Sequence, residues 1–421
     1  MQSIRGMHDI LPKDTKYWQH VYNIAMDILS QASYQEIRTP IIEDTSLFLR
    51  GIGTDTDIVS KEMYSFEDRG RRNLTLRPEG TAPVARSLIQ HKLYNEQPIQ
   101  KLWYMGPMFR YERPQHGRQR QFHQLGLECY GSNSPVLDAE VIYLANQIID
   151  SLECSKYTIE INSIGSSDTR QDYEKALRRY LSTYQLDLDG ESQKRLIASP
   201  LTILDSKDPQ TQEILLNAPI ISDFLDREAL THFEKMQDYL SSMNIPFTIN
   251  NQLVRGLDYY NSTVFEIKTN LLGTQDTICG GGRYDSLTQQ LGGPAIPALG
   301  WGIGIERLLL LVQDKLDLPQ NSELIYLALQ GYEAEKKGLS LIPIFRNYDL
   351  RYEVDLSGSS FQKQVKRAHK KNALMCVIIG EEEASLQTLT VKWLKEYRQE
   401  TCSRQQFIET LKLYRKEEVI R

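Results

Sequence analysis

Apolar residues recur along this chain in two different periods, and the changes between the periods separate the predicted elements. Residues 14–33 repeat apolar side chains at helical spacing, from Trp18 to Leu29, which predicts an amphipathic helix. Since some of the β-forming runs that follow have no helix between them, we expect an antiparallel sheet rather than a doubly wound parallel one. These predicted strands are 99–105, 121–130, 156–163 and 262–268.

Two later regions differ in pattern from the first. Residues 168–246 are charged, poor in glycine and helical in period, so we expect a helical insertion between two parts of an α+β core, 1–167 and 247–320. Residues 322–421 alternate strands with helices, which predicts a small α/β domain with a parallel or mixed sheet. The polar segment 313–322 is the expected linker. In the last domain the predicted strands are 323–329, 350–356 and 373–380, and the predicted helices are 331–345, 358–371 and 402–415.

Composition excludes several classes of protein. The 421 residues include 49 Lys and Arg against 55 Asp and Glu, a formal net charge of −6, so any contact with nucleic acid needs a local basic patch. Five scattered cysteines without a C-x-x-C spacing exclude a disulfide framework, and the histidines lack metal-ligand spacing, so we expect no protein-bound metal. No apolar stretch is long enough for a membrane helix and the N-terminus lacks a targeting pattern, so we expect a cytoplasmic protein.

The segment 105–120 holds the strongest local signal, four arginines against a single acidic residue. Arg110 directly follows an apolar strand, so its side chain is expected on rigid backbone beside a mobile basic loop. A guanidinium in that position suits phosphate, because its planar fork grips phosphate oxygens and stays charged. A solvated basic loop is the alternative.

The segment 300–312 combines alternating glycines with the start of an apolar helix. Gly300, Gly302 and Gly304 would share one face of a strand and leave a slot for a planar ring. Arg307 follows near a helix N-terminus, where anions bind well. A glycine-weakened strand in close contact with a helix would give the same pattern, and this motif alone does not decide between the two.

Three further segments carry candidate chemistry. In 75–86, Thr81 is predicted to cap the following helix, whereas Glu79 is a natural acceptor for an ammonium group. The segment 253–267 places Arg255, Asp258, Tyr259 and Tyr260 in a turn before a strand, and in 279–287 three glycines precede Arg283 and Tyr284.

In combination, these motifs resemble those of class II aminoacyl-tRNA synthetases. Gly-x-Gly-x-Gly-x-Glu-Arg is similar to their third motif, Phe-Arg-x-Glu to the second, and the segment around Pro40 to the first, which forms dimers. LRPEGTAPVAR, QFHQLGLE, LVRGLDYYNSTVFE and GGRYD, with the opening SIRGMHDILP, resemble the histidyl-tRNA synthetase family in particular. The resemblance covers nearly the whole chain. It implies a class II catalytic domain on an antiparallel sheet with a helical insertion, followed by an α/β anticodon-binding domain.

The resemblance implies ATP-dependent activation of L-histidine to histidyl-adenylate, and then transfer to the 3′ end of tRNA-His. Arg110 and Arg255 would be catalytic, gripping the α-phosphate and the substrate carboxylate, with Arg255 serving where related enzymes use a metal. Arg118 and Arg307 would hold the γ-phosphate, and Mg²⁺ would enter with ATP, held mainly by phosphate oxygens. The implied ATP-binding residues are Arg110, Glu112, Arg118, Gly302, Gly304 and Arg307.

Histidine recognition is implied to divide between two groups of residues. Glu79, Thr81 and Gln124 would bind the ammonium group, and Glu128 and Tyr260 the two imidazole nitrogens. Since Gln124 and Glu128 alternate on a predicted strand, they share a face. The implied histidine-binding residues are Glu79, Gly80, Thr81, Arg110, Gln124, Glu128, Arg255, Tyr259, Tyr260 and Tyr284.

Contact with tRNA is expected from two places, and the family also implies a homodimer. The loop after Arg110 would reach the acceptor stem, and four basic residues at helical spacing in the last domain would contact phosphates near the anticodon. A solvated helix face is the alternative for the second set. The predicted tRNA-binding residues are Arg113, Gln115, Lys363, Lys366, Arg367 and Lys370.

Two other functions compete with this interpretation. A non-catalytic paralogue, the regulatory subunit of a histidine-biosynthetic phosphoribosyltransferase, typically lacks the C-terminal domain and the arginines, whereas Arg110, Arg255 and Arg307 are all present here. A synthetase for proline or threonine is disfavoured by the pairing of Glu128 with Tyr260.

Overall fold

The structure, a computed structural model, describes residues 1–53, 56–115, 117–257, 259–273, 276–318 and 324–420, without the side chains of residues 198 and 415–420. The chain divides into two compact units, Met1–Asp317 and Leu318–Arg421. Residues 319–322 of the predicted linker, and residue 323 at the start of the next predicted strand, lie outside the described residues. No helix in the described ranges is both long and apolar enough to span a membrane.

The first unit contains both strands and helices. Its strands are β1 (Gln35–Glu36), β2 (Ile42–Asp44), β3 (Tyr64–Glu67), β4 (Asn73–Leu76), β5 (Gln100–Phe109), β6 (Gln121–Tyr130), β7 (Thr158–Ser163), β8 (Thr248–Ile249), β9 (Asn261–Lys268), β10 (Thr277–Arg283) and β11 (Ala298–Gly304). Its helices are α1 (Pro12–Gln31), α2 (Thr45–Ile52), α3 (Thr81–Gln90), α4 (Pro135–Ser151), α5 (Ser167–Ser182), α6 (Gly190–Ala198), α7 (Pro209–Leu215), α8 (Arg227–Ser242), α9 (Leu287–Gln290) and α10 (Ile305–Val312). Short 3₁₀ turns lie at Leu93–Asn95, Pro200–Asp205, Ile221–Phe224 and Asn270–Leu272, and a π-helical turn at Ile58–Glu62.

Antiparallel pairing dominates the main sheet, as predicted. In the described part of the unit its strands run in the order β1-β5-β6-β11-β10-β9-β7-β8. All neighbours pair antiparallel except the two edge pairs, β1 with β5 and β7 with β8. A smaller antiparallel sheet has the order β2-β4-β3. The loop that connects β5 to β6, described at residues 110–115 and 117–120, therefore lies at one end of these two strands.

One face of the main sheet is the core of the unit. Leu125, Leu127 and Cys129 on β6 are fully buried, and with apolar residues of the neighbouring strands they pack under α1, α4, α8 and α10. Because side chains alternate across a strand, the residues between them face the opposite side of the sheet. That front face, the one turned away from α1 and α10, carries the candidate site.

The segment predicted to be helical contains α5 to α8. Side chains of Ser166, Asp189, Asp208 and Asp226 each accept a hydrogen bond from a backbone N–H in the first turn of one of these helices. These caps satisfy N–H groups that have no partner within the helix, which fixes where each helix begins.

The second unit is a mixed α/β layer, as predicted. Its sheet runs in the order β13-β12-β14-β15-β16, parallel among the first three strands and antiparallel beyond. The strands are β12 (Leu324–Leu329), β13 (Arg351–Val354), β14 (Met375–Ile379), β15 (Thr388–Trp393) and β16 (Arg398–Ser403). The helices are α11 (Tyr332–Leu339), α12 (Ile342–Asn347), α13 (Phe361–Lys370), α14 (Glu381–Leu386) and α15 (Arg404–Ile420).

Two details of this unit differ from the sequence-based expectation. The single helix predicted at 331–345 is two helices, because Pro343 lacks an N–H and lies in the first turn of the second one, which begins at Ile342. The β15–β16 hairpin was not predicted, since its outer strand has mostly exposed or half-exposed side chains and little apolar alternation.

A buried ion pair joins β10 to α4. The guanidinium of Arg283 donates to both carboxylate oxygens of Asp138, at 2.5 to 3.1 Å, and to the carbonyl of Ser132. Both side chains are almost fully buried. His232 on α8 lies 3.2 Å from the same carboxylate, so this cluster ties the helical segment to the strand that leads into Tyr284.

Replacing Asp138 by Asn is expected to destabilise the first unit by about 3 kcal/mol, because it removes the nearest counter-charge of the buried Arg283 and leaves only the more distant Asp285, at 3.5 Å. Urea unfolding measures the change. The control is Asp172→Asn in the exposed pair with Lys175, which should change stability by about 1 kcal/mol or less. Equal effects of the two substitutions would contradict the structural role assigned to Asp138.

Candidate active site

The front face of the main sheet is almost bare of side chains at its centre. Cross-strand pairing aligns Gly126 with Gly302 and Gly280, and aligns Glu128 with Gly300 and Gly282. The prediction that alternating glycines of β11 share one face is therefore confirmed. The bare surface also extends over β6 and β10, which gives a floor three strands wide.

Two large side chains lie on this floor because glycine leaves the space for them. A Cβ at Gly80 or at Gly126 would collide with the ring of Tyr104, and one at Gly280 would collide with the guanidinium of Arg255. The Tyr104 ring thus lies between the entrance of α3 and the sheet. Tyr104 was not among the predicted site residues, because its place opposite Gly126 depends on the register of the β5–β6 hairpin.

Glu128 is the buried acid at the centre of the site. Its carboxylate accepts hydrogen bonds from the hydroxyls of Thr81 at 2.7 Å, Tyr104 at 3.3 Å and Tyr284. Burial raises the pKa of Glu128 to about 8, although the hydroxyl donors oppose that shift. Three of the roughly four lone-pair directions of the carboxyl group accept hydrogen bonds and the bound proton takes the fourth, so the protonated group can donate one hydrogen bond to a ligand.

Glu79 has a structural role that the sequence analysis assigned to Thr81. The predicted Thr81 cap is wrong, because Thr81 is the first residue of α3 and its hydroxyl points to Glu128 instead. Glu79 accepts from the backbone N–H of Thr81 at 2.6 Å and of Ala82 at 2.9 Å. Its longer side chain reaches both N–H groups, and its charge suits a helix N-terminus. Burial raises the pKa of Glu79.

Three tyrosines form one wall of the site. The ring centroids of Tyr259 and Tyr260 lie 4.7 Å apart, and those of Tyr259 and Tyr284 lie 5.5 Å apart. All three side chains are buried. The structure therefore brings these predicted residues together around Glu128, whereas Asp258 lies outside the described residues.

Arg255 approaches the same floor from the other end. Its guanidinium pairs with Glu266 on β9 and lies 5.6 Å from the ring centre of Tyr260. Burial opposes its charge most strongly, but Glu266 together with the neighbouring Tyr260, Tyr259 and Cys279 outweighs that effect, so the pKa of Arg255 lies above its ordinary value. Glu266 is a second residue that the sequence analysis missed, because a lone acid in a β-run carries no signal of its own.

Some buried polar atoms beside the floor have no hydrogen-bond partner within the described residues. Among them are the Nε of Arg255, a donor, and the Oε1 of Gln124, an acceptor. The Gln124 amide lies against Gly302, where a Cβ would collide with it. Because buried polar groups are almost always paired, these atoms indicate where a polar ligand would be held.

Predicted phosphate-binding residues gather at the edge of the floor. Arg110 follows β5, as expected, and donates through Nε to the carbonyl of Pro78 at 2.9 Å. Glu112 lies 3.9 Å from Arg110 and 3.2 Å from Arg118. Arg307, at the start of α10, donates to the carbonyls of Gly117 and Thr277.

These arginines share one electrostatic environment. Burial lowers the pKa of Arg307, and the positive charges of Arg118 and Arg110 lower it further. Like charges held this close favour a polyanion between them, because the ligand would relieve their repulsion.

The predicted tRNA-binding residues lie in both units. Arg113 and Gln115 are exposed on the loop between β5 and β6, and Gln115 forms a backbone bridge to Arg118. Lys363, Lys366 and Lys370 are exposed along α13.

Arg367 differs from the three lysines of α13. It donates to Asp355 at 2.8 Å and also contacts Ser357 and Ser359. The guanidinium thus supports the loop before α13, so the basic face of the helix depends mainly on the three lysines.

Among the described residues, no group of three or more His, Cys, Asp or Glu side chains is arranged to hold a metal ion. The charged groups that surround the floor are instead arginines and isolated carboxylates.

Comparisons with known proteins agree on one family. A family model described as histidyl-tRNA synthetase matches residues 6–308, and one described as an anticodon binding domain matches residues 325–413. The chain is 53% identical to a chloroplastic histidine–tRNA ligase of Gracilaria tenuistipitata var. liui, over 98% of each chain. It is 51% identical to a histidine–tRNA ligase of a Cyanothece species, over 99% of this chain and 97% of the relative.

A solved structure extends the similarity to the fold. The apo histidyl-tRNA synthetase of S. aureus superposes with a TM-score of 0.80 at 34% identity, over 98% of this chain and 100% of that one. The predicted class II architecture, with its C-terminal α/β domain, is thereby confirmed.

The environment of Glu128 predicts how stability depends on pH. The native carboxyl keeps its proton up to about pH 8, whereas its ordinary pKa is 4.5. The native state therefore holds the extra proton between these values, and stability falls as pH rises through them. Glu128→Gln removes this dependence. The free energy of unfolding of the variant, relative to that of the parent, should therefore rise by about 1 kcal/mol or more from pH 5 to pH 8.

Urea unfolding of both proteins at pH 5 and at pH 8 measures the gain. Glu96→Gln, at an exposed position of the same unit, is the control and should give the same difference from the parent at both pH values. A pH-independent difference for Glu128→Gln would contradict a protonated native carboxyl.

Proposed function

The chain belongs to the histidyl-tRNA synthetase family, and from this premise we infer that it is an aminoacyl-tRNA ligase that joins histidine to tRNA-His. The carboxylate of histidine attacks the α-phosphorus of ATP and pyrophosphate leaves, giving histidyl-adenylate. A 3′-terminal hydroxyl of the tRNA then attacks the carbonyl carbon and AMP leaves. The observation that carries the assignment is the convergence of Arg110, Arg255 and Arg307 on the floor that also holds Glu128.

The first step brings two anions together and develops charge on the phosphoryl oxygens, so fixed cations supply most of the catalysis. We assign Arg255 and Arg110 to the α-phosphate and the substrate carboxylate. The unpartnered Nε of Arg255 supports this role, as does the carbonyl of Pro78 that holds Arg110. Arg118 and Arg307 lie further along the edge and bind the γ-phosphate.

The nucleoside lies on the glycine floor near Gly302 and Gly304. A Cβ at Gly304 would meet nothing within 4 Å, so this end of the floor is open. Glu112, between Arg110 and Arg118, completes the ATP site. Mg²⁺ enters with ATP and is held mainly by phosphate oxygens.

Histidine occupies the opposite end of the floor. The carboxyl group of Glu128 and the hydroxyl of Tyr260 bind the imidazole nitrogens, and Tyr259 and Tyr284 enclose the ring. An amino acid without ring nitrogens would leave Glu128 buried without its last partner, which is a strong basis for rejection.

The ammonium group of histidine binds near the start of α3. Gln124 supplies its unpartnered Oε1, and Glu79 and Thr81 lie at the helix entrance. Gly80 belongs to the same site because its missing side chain makes room for Tyr104. Glu79 would thus serve both the helix and the ligand.

Transfer of the histidyl group needs contact with two distant parts of the tRNA, the acceptor stem and the anticodon region. The exposed Arg113 and Gln115 bind the acceptor stem, and the basic face of α13 binds backbone phosphates near the anticodon. The match of residues 325–413 to an anticodon binding domain supports the second contact. Residues 168–246 form the insertion domain in this scheme, between 1–167 and 247–320.

The regulatory-subunit alternative is less supported. The relatives that match nearly the full length of the chain are named as ligases, and the arginines that a non-catalytic paralogue would lose are gathered at the site.

The proposal also includes a homodimer and a cytoplasmic location. A homodimer formed through the segment around Pro40 is supported by the exposed apolar side chains of Ile41 and Ile42 there, and of Phe66 on β3 of the small sheet. A cytoplasmic location stays a prediction, since some relatives are named as chloroplastic.

Histidine-dependent exchange of pyrophosphate into ATP tests the proposed function directly. The parent protein should catalyse exchange with histidine and not with the other amino acids. Arg255→Ala should reduce the exchange rate by about 10²–10³-fold, because a preorganised cation is lost from the transition state. Arg398→Ala, on an exposed strand of the second unit, is the control and should leave exchange unchanged. Full exchange by Arg255→Ala would remove its catalytic role.

Charge reversal on α13 tests the tRNA contact separately. Lys363, Lys366 and Lys370 changed together to Glu should weaken tRNA charging at least about tenfold at physiological salt, because counterion release is lost. Pyrophosphate exchange should be spared. The control is the same reversal at Lys336, Lys395 and Lys412, which are exposed elsewhere in the second unit. Equal losses in the two triple variants would show that net charge, and not this face, matters.

A further inference from the structure

Arg255 is a catalytic residue of the proposed function, yet its backbone does little to fix it. It lies in an irregular segment between β8 and β9, outside any helix or strand. An arginine has four rotatable side-chain bonds and loses rotamer entropy when it is held in one geometry. The side chains around it must therefore supply the constraint.

Glu266 is the contact that can orient the guanidinium. It faces the front of β9, directly opposite Gly280 on β10, and its Oε1 pairs with Nη1 of Arg255. The ring of Tyr260 limits the guanidinium on one side, and the bare backbone of Gly280 lies beneath it. The paired Nη1 is thus turned toward β9, whereas the Nε has no partner within the described residues.

Glu266 is itself held in place through its second oxygen. Oε2 accepts from the hydroxyl of Thr277 at 3.2 Å and lies 3.2 Å from Nζ of Lys268. Lys268 also pairs with Glu160 at 3.0 Å. The charges of Arg255 and Lys268 therefore balance those of Glu266 and Glu160. Each oxygen of Glu266 has a positively charged partner, and its backbone belongs to β9, so its position is fixed.

We propose that Glu266 is a positioning residue for the activation step, which holds Nη1 of Arg255 so that the rest of the guanidinium faces the α-phosphate and the substrate carboxylate. The inference rests on the proposed function. Glu266 itself touches no substrate, and its effect passes entirely through Arg255. This makes a specific demand: Glu266 must matter when Arg255 is present and must not matter when it is absent.

The experiment is a double-variant cycle on the full chain, measured as single-turnover formation of histidyl-adenylate at excess enzyme. Glu266→Gln should slow the step at least about tenfold with little change in the histidine concentration at half-saturation, because the guanidinium stays in the site but is no longer oriented. In an Arg255→Ala background the same substitution should change the rate by less than about twofold.

Glu160→Gln is the matched control, because it removes a carboxylate of the same network that does not touch Arg255. It should stay within about threefold of the parent. Thermal unfolding of each variant identifies loss of fold. If Glu266→Gln fails to fold, Glu266→Asp keeps the charge and shortens the reach by one methylene, and it is subject to the same cycle.

The possible results distinguish a positioning role of Glu266 from its absence. A slow Glu266→Gln whose effect vanishes without Arg255 supports the proposal. Parent-like activity, or losses that multiply in the double variant, would overturn it. Failure of the unmodified protein to form histidyl-adenylate would instead overturn the proposed function, so the two failures are distinguishable.

Discussion

The site depends on one constraint: at the centre of the main sheet, glycines leave one face without side chains. Where β6, β11 and β10 meet, glycines follow one another across the strands, and an added Cβ at Gly126 or Gly280 would displace Tyr104 or Arg255. Glycine weakens a strand, and the opposite face offsets that cost by burying apolar side chains under α1, α4, α8 and α10. The same strands therefore carry the core on one side and an open floor on the other.

Charged groups around this floor are held in two different ways. Glu128 is surrounded by hydroxyl donors and remains neutral up to about pH 8. A ligand can therefore bind beside it without burying a charge. The arginines at the edge are tied to backbone carbonyls and to single carboxylates and lie close enough to repel one another. The positive charges of these arginines repel one another, and a bound anion reduces that repulsion. This is the electrostatic preorganisation that reaction at a phosphate group needs.

Sequence alone predicted much of this arrangement, and the failures have identifiable causes. Period-two runs located β6 and the shared face of Gln124 and Glu128, and the glycine spacing located the floor. The error at Thr81 arose because Glu79, two residues earlier, reaches the same N–H groups with a longer side chain. Tyr104 and Glu266 were missed because their importance depends on cross-strand register, which a single sequence does not reveal.

A crystal structure of the chain with histidine and a non-hydrolysable ATP analogue is the most direct test of this site. An imidazole nitrogen should lie within hydrogen-bond distance of Glu128, and the α-phosphate within hydrogen-bond distance of Arg255 or Arg110. Either ligand bound away from the glycine floor would contradict this assignment.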